Sequence, residues 1–382
     1  MKVTATVDRL RREGIAVLDF GAGEPDFATP AHIVAAAHGA IDAGFTKYTP
    51  VGGTLELKRA ILSTYRSKYG VDYADNEVIA CAGGKQALYN AALTLFDAGD
   101  EVITHAPGWP TLVEQIKLAD ATPVVVHASP HNGFALTAQL FLDALTPRTR
   151  GIVVNSPCNP TGALMVEAEL TTLAKEAARR GIWIVLDLCY EDLIYDAAPH
   201  NLPRVLAEHN RELSIVCGSA SKGFAMTGWR CGWSIGPAQA IAAQHALQSH
   251  ATSNVSSITQ KAVVEALTGS QAPVGEMLAE YRRRRDALHG WLTSNPRITC
   301  SVPDGAFYLF PDMRAVLADT GIVSTAALAE ALLDEARVAV TPGEAFDAPG
   351  FIRLSYATSM DVLREGSARL LEFVERRRVG AR

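Results

Sequence analysis

Residues 151–187, GIVVNSPCNPTGALMVEAELTTLAKEAARRGIWIVLD, carry the pattern that decides the fold. Two short apolar runs rich in β-branched residues, Gly151–Asn155 and Ile182–Asp187, predict strands, and Glu167–Arg180 between them predicts a helix. Strands that alternate with helices in this way form a mainly parallel sheet covered by helices. The segment therefore predicts an α/β fold.

The same alternation continues on both sides of this segment. Lys85–Phe96 predicts another helix. Further strands are predicted at Glu77–Ala82, Glu101–His105, Thr122–His127 and Ile215–Gly218. In open sheets of this kind ligands bind at the carboxyl ends of the strands. Residues directly after each strand are therefore the first candidates for a functional site.

The pattern changes in the last third of the chain. A long helix-favouring stretch, Gly236–Trp291, predicts a connecting helix. It is followed by strands predicted at Gly305–Phe310, Val338–Thr341 and Gly350–Tyr356, and by a closing helix. A chain of 382 residues has the length of about two domains. We predict a large domain at residues 41–284, with the mainly parallel sheet between helices, and a smaller α+β domain formed by residues 1–40 and 285–382.

The charge balance disfavours polyanionic partners. The chain has 35 Lys and Arg residues against 41 Asp and Glu, a net charge of −6, so no positive field covers the whole molecule. The basic run Arg282–Arg285 lies in the helix-favouring stretch, and we interpret it as an ion-paired or solvated face. We expect no binding of nucleic acid or of a membrane surface.

The cysteines and the N-terminal residues indicate the cellular compartment. The six cysteines are dispersed and form no Cys-x-x-Cys pair, which argues against a zinc site and against a dense disulfide framework. Asp8 and Arg9 interrupt the stretch where a signal peptide needs an apolar run, and no stretch of about 18 apolar residues follows. We expect a soluble cytoplasmic protein that is not processed and that holds no metal.

Two glycine-rich segments need separate interpretations. Gly21–Asp26 begins like a dinucleotide-binding turn, but Pro25 and Asp26 break that pattern. Gly83-Gly84-Lys85 follows a predicted strand and opens a predicted helix. Its backbone N–H groups and the positive helix end would suit a phosphate. A plain tight turn is the alternative interpretation of this segment.

A second cluster, Ser219–Arg230, directly follows a predicted strand. Lys222 lies there among small, apolar and hydroxyl-bearing residues. Burial disfavours the ammonium form, so this lysine is a candidate nucleophile for Schiff-base formation. Ser219 and Arg230 would hold an anion beside it. A surface charge is the alternative interpretation of a single lysine.

Polar and aromatic side chains follow the neighbouring strands. Asp187 ends an apolar strand, with Tyr190 three residues further on, and would suit a buried cation such as a protonated ring nitrogen. A turn cap is the alternative role for this carboxylate. Asn159 follows another strand, in a turn from which it would hydrogen-bond a ligand. Trp109 would offer a flat face to an aromatic ring, or pack in the core.

Together, in this order, these segments resemble the pyridoxal 5′-phosphate-dependent aminotransferases of class I and II, which have the fold-type I architecture, and in particular the bacterial aspartate aminotransferase branch. The resemblance covers almost the whole chain. Its marks are Gly21–Phe27 (GAGEPDF), Thr46–Pro50 (TKYTP), Gly83–Leu88 (GGKQAL), Pro107–Pro110, Asn159–Gly162 (NPTG), Asp187 with Tyr190, Ser219–Arg230, and Pro342–Phe346 with Arg353.

The resemblance implies roles for the residues around the cofactor. Lys222 would form the Schiff base and then move the substrate proton as general base and acid. Asp187 would pair with the pyridinium nitrogen, so that the ring keeps withdrawing electrons. Tyr190 and Asn159 would contact the phenolic oxygen of the cofactor, and Trp109 would stack on its ring.

The resemblance also implies a phosphate site that two subunits share. The phosphate would be held by Gly84, Lys85, Ser219 and Arg230, and by Tyr48 from a second subunit. We therefore expect a homodimer as the active unit.

For the substrate, the resemblance implies that Arg353 binds the α-carboxylate in a two-pronged ion pair, with the backbone of Gly23 nearby. Trp109 and Asn159 would contact the substrate as well. Lys85 would reach a distal carboxylate, which favours aspartate or glutamate as amino donor and a 2-oxo acid as acceptor in a ping-pong reaction.

The chain departs from the branch at three points. Leu188 stands where Glu is frequent, Asp347 stands where Gly is usual, and the Pro-Ser-Ala-Thr segment that closes over the substrate is not found before the first helix. We expect these differences to affect lid closure and side-chain recognition and to leave the cofactor chemistry intact. A lyase, cyclase or oxidase of the same fold, and a transaminase for neutral or aromatic amino acids, are the alternatives. A regulatory domain or a cofactor-free scaffold fits the residues less well.

Overall fold

The main feature of the computed structural model, which describes residues 6, 7, 9, 12–195 and 200–378, is a seven-stranded sheet. In spatial order its strands are Val78–Cys81, Gly232–Ile235, Ser214–Ser219, Trp183–Asp187, Thr149–Asn155, Glu101–Ala106 and Thr122–His127. Gly232–Ile235 is antiparallel to both of its neighbours, and every other pair is parallel. The predicted α/β fold with a mainly parallel sheet is confirmed.

The strand Gly232–Ile235 was not predicted. Its four residues include a glycine and a serine, so they form no apolar run. Gly232 is required by packing and not by strand propensity, because a Cβ atom there would lie 2.4 Å from the backbone nitrogen of Gly84. The other six strands lie within two residues of their predicted bounds.

Helices cover both faces of the sheet. Successive strand residues point to opposite faces, and Ile152 and Val154 belong to a different hydrophobic cluster from Val153. The helices are Ala31–Asp42, Leu55–Tyr69, Gly84–Leu95, Pro110–Leu118, Ala138–Leu142, Glu167–Arg180, Leu202–His209, Ala220–Gly223, Ala238–Ala251, Ser257–Thr268, Ala272–Thr293, Arg314–Thr320, Thr325–Ala331 and Met360–Arg376.

The helix-favouring stretch forms three helices, so the prediction of one connecting helix is wrong. The first ends at Ala251 and the second begins at Ser257. Gly269 follows the second, and a proline at the start of the third suits a new helix because proline needs no N–H partner there. Within the described ranges, no single helix has the length and apolar character needed to cross a bilayer. One bent pair, Arg314–Thr320 with Thr325–Ala336, passes that test by length and composition only.

A second core lies under the C-terminal third of the chain. It is formed largely by the helices Ala272–Thr293 and Met360–Arg376 and by small sheets. One sheet is antiparallel, with strands Thr341–Pro342, Ile352–Ser355 and Tyr308–Leu309 in that order, and the other pairs Leu18–Asp19 with Val338–Ala339. The predicted strand Val338–Thr341 is therefore split between two sheets.

The predicted domain bounds, 41–284 against 1–40 and 285–382, stay a prediction. Ile33 and Ala37 of the helix Ala31–Asp42 pack into a core of the large sheet. The basic run at the second bound is ion-paired, as interpreted from the sequence. Arg284 is buried and its guanidinium lies 2.8 Å from both Asp26 and Glu280.

Candidate active site

The predicted site residues meet in one cavity of about 450 Å³ at the carboxyl ends of the parallel strands. Its lining includes Gly23, Gly84, Lys85, Trp109, Asn159, Asp187, Tyr190, Ser219, Lys222, Arg230 and Arg353. Tyr48 is the exception, since it does not line this cavity and is 92% exposed. The structure brings eleven of the twelve residues together, while their individual roles stay predictions.

Lys222 lies on the short helix Ala220–Gly223, directly after a central strand. Its Nζ donates a hydrogen bond of 2.5 Å to the carbonyl oxygen of Gly23 and lies 6.0 Å from the ring of Tyr190. Burial lowers the pKa of Lys222, and the positive charge of Arg353 acts in the same direction. The amine therefore loses its proton more easily than the amine of a surface lysine, as a nucleophile or base requires.

Asp187 is the last residue of its strand and is only 2% exposed. One carboxylate oxygen accepts from the backbone N–H of Cys189 and the other from Nδ2 of Asn155, each at 3.1 Å. Burial raises the pKa of Asp187 to about 6, against the opposing charge of Lys222. The carboxylate caps the turn, which is the alternative role that the sequence left open. It also lines the cavity, where a cationic ligand would offset the free-energy cost of burying it.

Arg353 is a buried guanidinium on the strand Ile352–Ser355. Nη1 donates to Oδ1 of Asn159 at 3.0 Å, and Nη2 donates to the carbonyl oxygen of Gly21 at 2.9 Å. Its carbon Cζ lies 4.3 Å from the ring centre of Tyr308, and its Nε has no hydrogen-bond partner. No carboxylate pairs with it in the described part of the chain. The arrangement suits a small carboxylate ligand, which accepts from two guanidinium nitrogens at once.

Another part of the cavity lining collects hydrogen-bond donors. The helix Gly84–Leu95 points its N-terminus there, and Ser219 lies beside Gly84. Arg230 adopts a left-handed backbone conformation, and its Nη2 donates to the carbonyl oxygen of Ala82 at 3.3 Å. Gly83 has φ of +90°, and a Cβ atom there would lie 2.4 Å from Nη2 of Arg230. Glycine thus lets the guanidinium lie against the helix start, where a phosphate would meet both.

Lys85 and Trp109 form the cavity edge. The Nζ of Lys85 lies 5.0 Å from the ring centre of Trp109, and the lysine is largely exposed. Within the described residues Lys85 makes no ion pair. Its ammonium group is therefore available to an anionic group of a ligand.

Sequence reasoning missed other cavity residues. They are Leu88, Asn155, Cys189, Ser221, Thr227 and Tyr308. Asn155 had a usable signal, because it ends a predicted strand and lies in register with Asp187. Tyr308 had none, because it reaches the cavity from a strand more than one hundred residues away from Tyr190 in the chain.

Comparison with known proteins gives consistent matches over nearly the whole chain. The family described as aminotransferase class I and II matches residues 15–370. The chain is 41% identical to an aspartate aminotransferase of Geobacillus stearothermophilus, covering 99% of this chain and 96% of the relative. It is 42% identical to an aspartate/prephenate aminotransferase of Cereibacter sphaeroides, covering 97% and 94%. The crystal structure of an aspartate aminotransferase from Rhizobium meliloti matches with a TM-score of 0.94 at 38% identity, covering 98% and 95% of the two chains.

Proposed function

The chain belongs to the class I and II aminotransferase family, and on that basis we propose that it transfers an amino group between aspartate or glutamate and a 2-oxo acid, with pyridoxal 5′-phosphate as cofactor. The observation that carries this proposal is that Lys222, Asp187 and Arg353 line one cavity. The amine, the buried acid and the guanidinium thus face the same space, and among the described residues no carboxylate pairs with the guanidinium. Lyase, cyclase and oxidase activities are not favoured, because the relatives reported above are named aminotransferases.

The residues present fit this cofactor. The donor cluster of Gly84, Ser219 and Arg230 suits its phosphate, and Asp187 suits its ring nitrogen, because a cation there would offset the burial of the carboxylate. When bound, the cofactor supplies a carbonyl carbon for the amine of Lys222 and a ring that withdraws electrons. Trp109 would cover one face of that ring.

The chain's own groups would perform the proton transfer. Arg353 would hold the α-carboxylate of the substrate through Nη1 and Nη2, which fixes the position of the α-hydrogen. Nζ of Lys222, whose pKa is lowered by partial burial, would take that proton from the α-carbon and then deliver it to the former carbonyl carbon of the cofactor. The carbonyl oxygen of Gly23 is within hydrogen-bonding distance of Nζ and would hold it between these two steps.

Visible spectroscopy with product analysis tests the proposal. The purified protein, incubated with pyridoxal 5′-phosphate, should turn yellow, and aspartate alone should bleach the colour with release of one oxaloacetate per subunit. Lys222→Ala should abolish both changes. Lys117→Ala, on an exposed helix position paired with Glu114, is the matched control and should behave like the wild type. Full activity in Lys222→Ala would refute the proposal, and bleaching without oxaloacetate would indicate a different reaction.

The preference for an acidic substrate rests on Lys85. Its ammonium group, which makes no ion pair with the residues that the structure describes, lies 5.0 Å from the ring centre of Trp109 and would pair with a distal carboxylate. Lys85→Ala should therefore lower kcat/KM for aspartate much more than kcat/KM for a neutral amino acid, with Lys117→Ala again as control. Equal losses for the two substrates would exclude this role.

We also propose a cytoplasmic homodimer in which Tyr48 acts in the partner's site. The tyrosine is 92% exposed in the single chain, where it does not line the cavity, and all six cysteines are free thiols. Hybrid dimers test the shared site. Lys222→Ala subunits mixed with Tyr48→Ala subunits would form one intact site per hybrid dimer, so mixing should raise activity above that of either variant. No gain in dimers shown to have exchanged subunits would refute the shared site.

A further inference from the structure

Tyr190 and Tyr308 share a hydrogen bond inside the cavity. Their hydroxyl oxygens are 2.9 Å apart, and their rings meet edge to face. Both residues are buried, and burial raises the pKa of both hydroxyls, so each keeps its hydrogen at neutral pH. Among the described residues neither hydroxyl has another hydrogen-bond partner. The pair therefore holds two hydrogens, of which the shared bond uses one.

The neighbourhood favours one direction for the shared bond. The guanidinium carbon of Arg353 lies 4.3 Å from the ring centre of Tyr308. Its charge acts to lower the pKa of both hydroxyls, but it is second only to burial among the influences on Tyr308 and the weakest of five on Tyr190. A more acidic hydroxyl is the better donor, so Tyr308 should donate and Tyr190 should accept. The hydrogen of Tyr190 is then the one left to point at a ligand oxygen.

We infer that Tyr308 is a positioning residue that acts through Tyr190: it donates its hydroxyl hydrogen to the oxygen of Tyr190 and so directs the hydrogen of Tyr190 to the ligand. Because Tyr190 faces the phenolic oxygen of the cofactor only under the proposed function, the role of Tyr308 rests on that function. A hydroxyl that accepts one hydrogen bond becomes a stronger donor in the next. Tyr308 would thereby strengthen the contact of Tyr190 with the phenolic oxygen, which lowers the proton affinity of the yellow chromophore.

A double-mutant cycle on the holoenzyme tests this role, with the pH titration of the visible spectrum as readout. Tyr190→Phe removes the direct donor and should raise the apparent pKa of the chromophore by about 1–2. Tyr308→Phe should raise it by roughly 0.1–0.6, because it removes only the strengthening of that donor, about 10–30% of its effect. In the Tyr190→Phe background, Tyr308→Phe should produce no further change.

Two controls separate this role from general disturbance of the core. Tyr195→Phe removes another part-buried tyrosine hydroxyl, which donates to the carbonyl of Ala306 and lies outside the cavity lining, and it should leave the titration unchanged. Tyr308→Phe keeps the ring that stacks on Arg353, so the Kd for succinate, measured by calorimetry, should stay within about twofold.

Either of two results would overturn the inference. One is a titration of Tyr308→Phe that coincides with the wild type, and the other is an equal change in the wild-type and Tyr190→Phe backgrounds. Failure of the proposed function gives a different result. The wild type itself would then form no yellow chromophore with pyridoxal 5′-phosphate, or would keep it after addition of aspartate.

Discussion

Replacing Asp187 by asparagine should stabilise the cofactor-free protein at pH 8 and stabilise it less as the pH falls. The carboxyl is buried, and burial raises its pKa from 3.8 to about 6. The folded protein therefore holds a proton that the unfolded chain releases in this range. The unfavourable contribution of Asp187 to folding begins above pH 3.8, grows as the pH rises, and is complete above pH 6.

The size of this effect follows from the two pKa values. A difference of one pKa unit corresponds to about 1.4 kcal/mol, so the full cost of the ionised carboxylate is about 3 kcal/mol at pH 8 and about 1.6 kcal/mol at pH 5. Asparagine removes this cost but loses one hydrogen bond, because its Nδ2 would face another donor at Asn155 or Cys189. That loss, about 1 kcal/mol, does not change with pH.

Urea denaturation at pH 5 and pH 8 measures the difference directly. The gain in unfolding free energy from Asp187→Asn should be larger at pH 8 by about 1.4 kcal/mol. Asp361→Asn, at a side chain that is 93% exposed, is the control for the general effect of losing one carboxylate. A gain from Asp187→Asn that is the same at both pH values, or larger at pH 5, would refute the reasoning.

Three further substitutions test the packing of buried residues. Arg284→Ala should lower the unfolding free energy by about 1.5–3 kcal/mol in urea, because it removes the charged hydrogen bonds that the part-exposed Asp26 and Glu280 accept from this buried guanidinium; a loss under about 0.5 kcal/mol would contradict this. Gly232→Ala should weaken binding of pyridoxal 5′-phosphate by roughly 5–150-fold, because the new methyl group would displace Gly84; Gly228→Ala, which has open space, should bind normally. Gln244→Leu should raise the unfolding free energy by about 1–3 kcal/mol, because the side-chain oxygen and nitrogen of Gln244 are buried without hydrogen-bond partners within the described residues. A lower melting temperature of this variant would contradict the prediction.

The cofactor end of the site was predictable because its residues follow strand ends. Asp187 ends one strand and Lys222 follows the next, so the rule for open sheets was enough to place them at the same edge. The six predicted strands of the large sheet were found for the same local reason, since each is a short apolar run.

The rest depends on contacts that are distant in the chain. Tyr308 is an ordinary strand residue in the sequence, and only the packing of its strand against Tyr190 gives it a place in the cavity. Arg353 was found by resemblance, whereas its bonds to Asn159 and Gly21 needed the folded chain. Tyr48 depends on a second subunit, so neither the sequence nor one folded chain decides its role.

Pairing with the antiparallel strand Gly232–Ile235 closes residues 220–231 into a loop. Ser219 and Gly232 are paired neighbours in the sheet, so both ends of this twelve-residue connection are fastened at one point. Lys222 and Arg230 lie in the same loop. Strand pairing in the sheet offsets the chain entropy that is lost on closing this loop, before any ligand binds. An inserted or deleted residue would therefore move the amine and the phosphate-binding guanidinium together. The site thus constrains the length of this loop more than its composition.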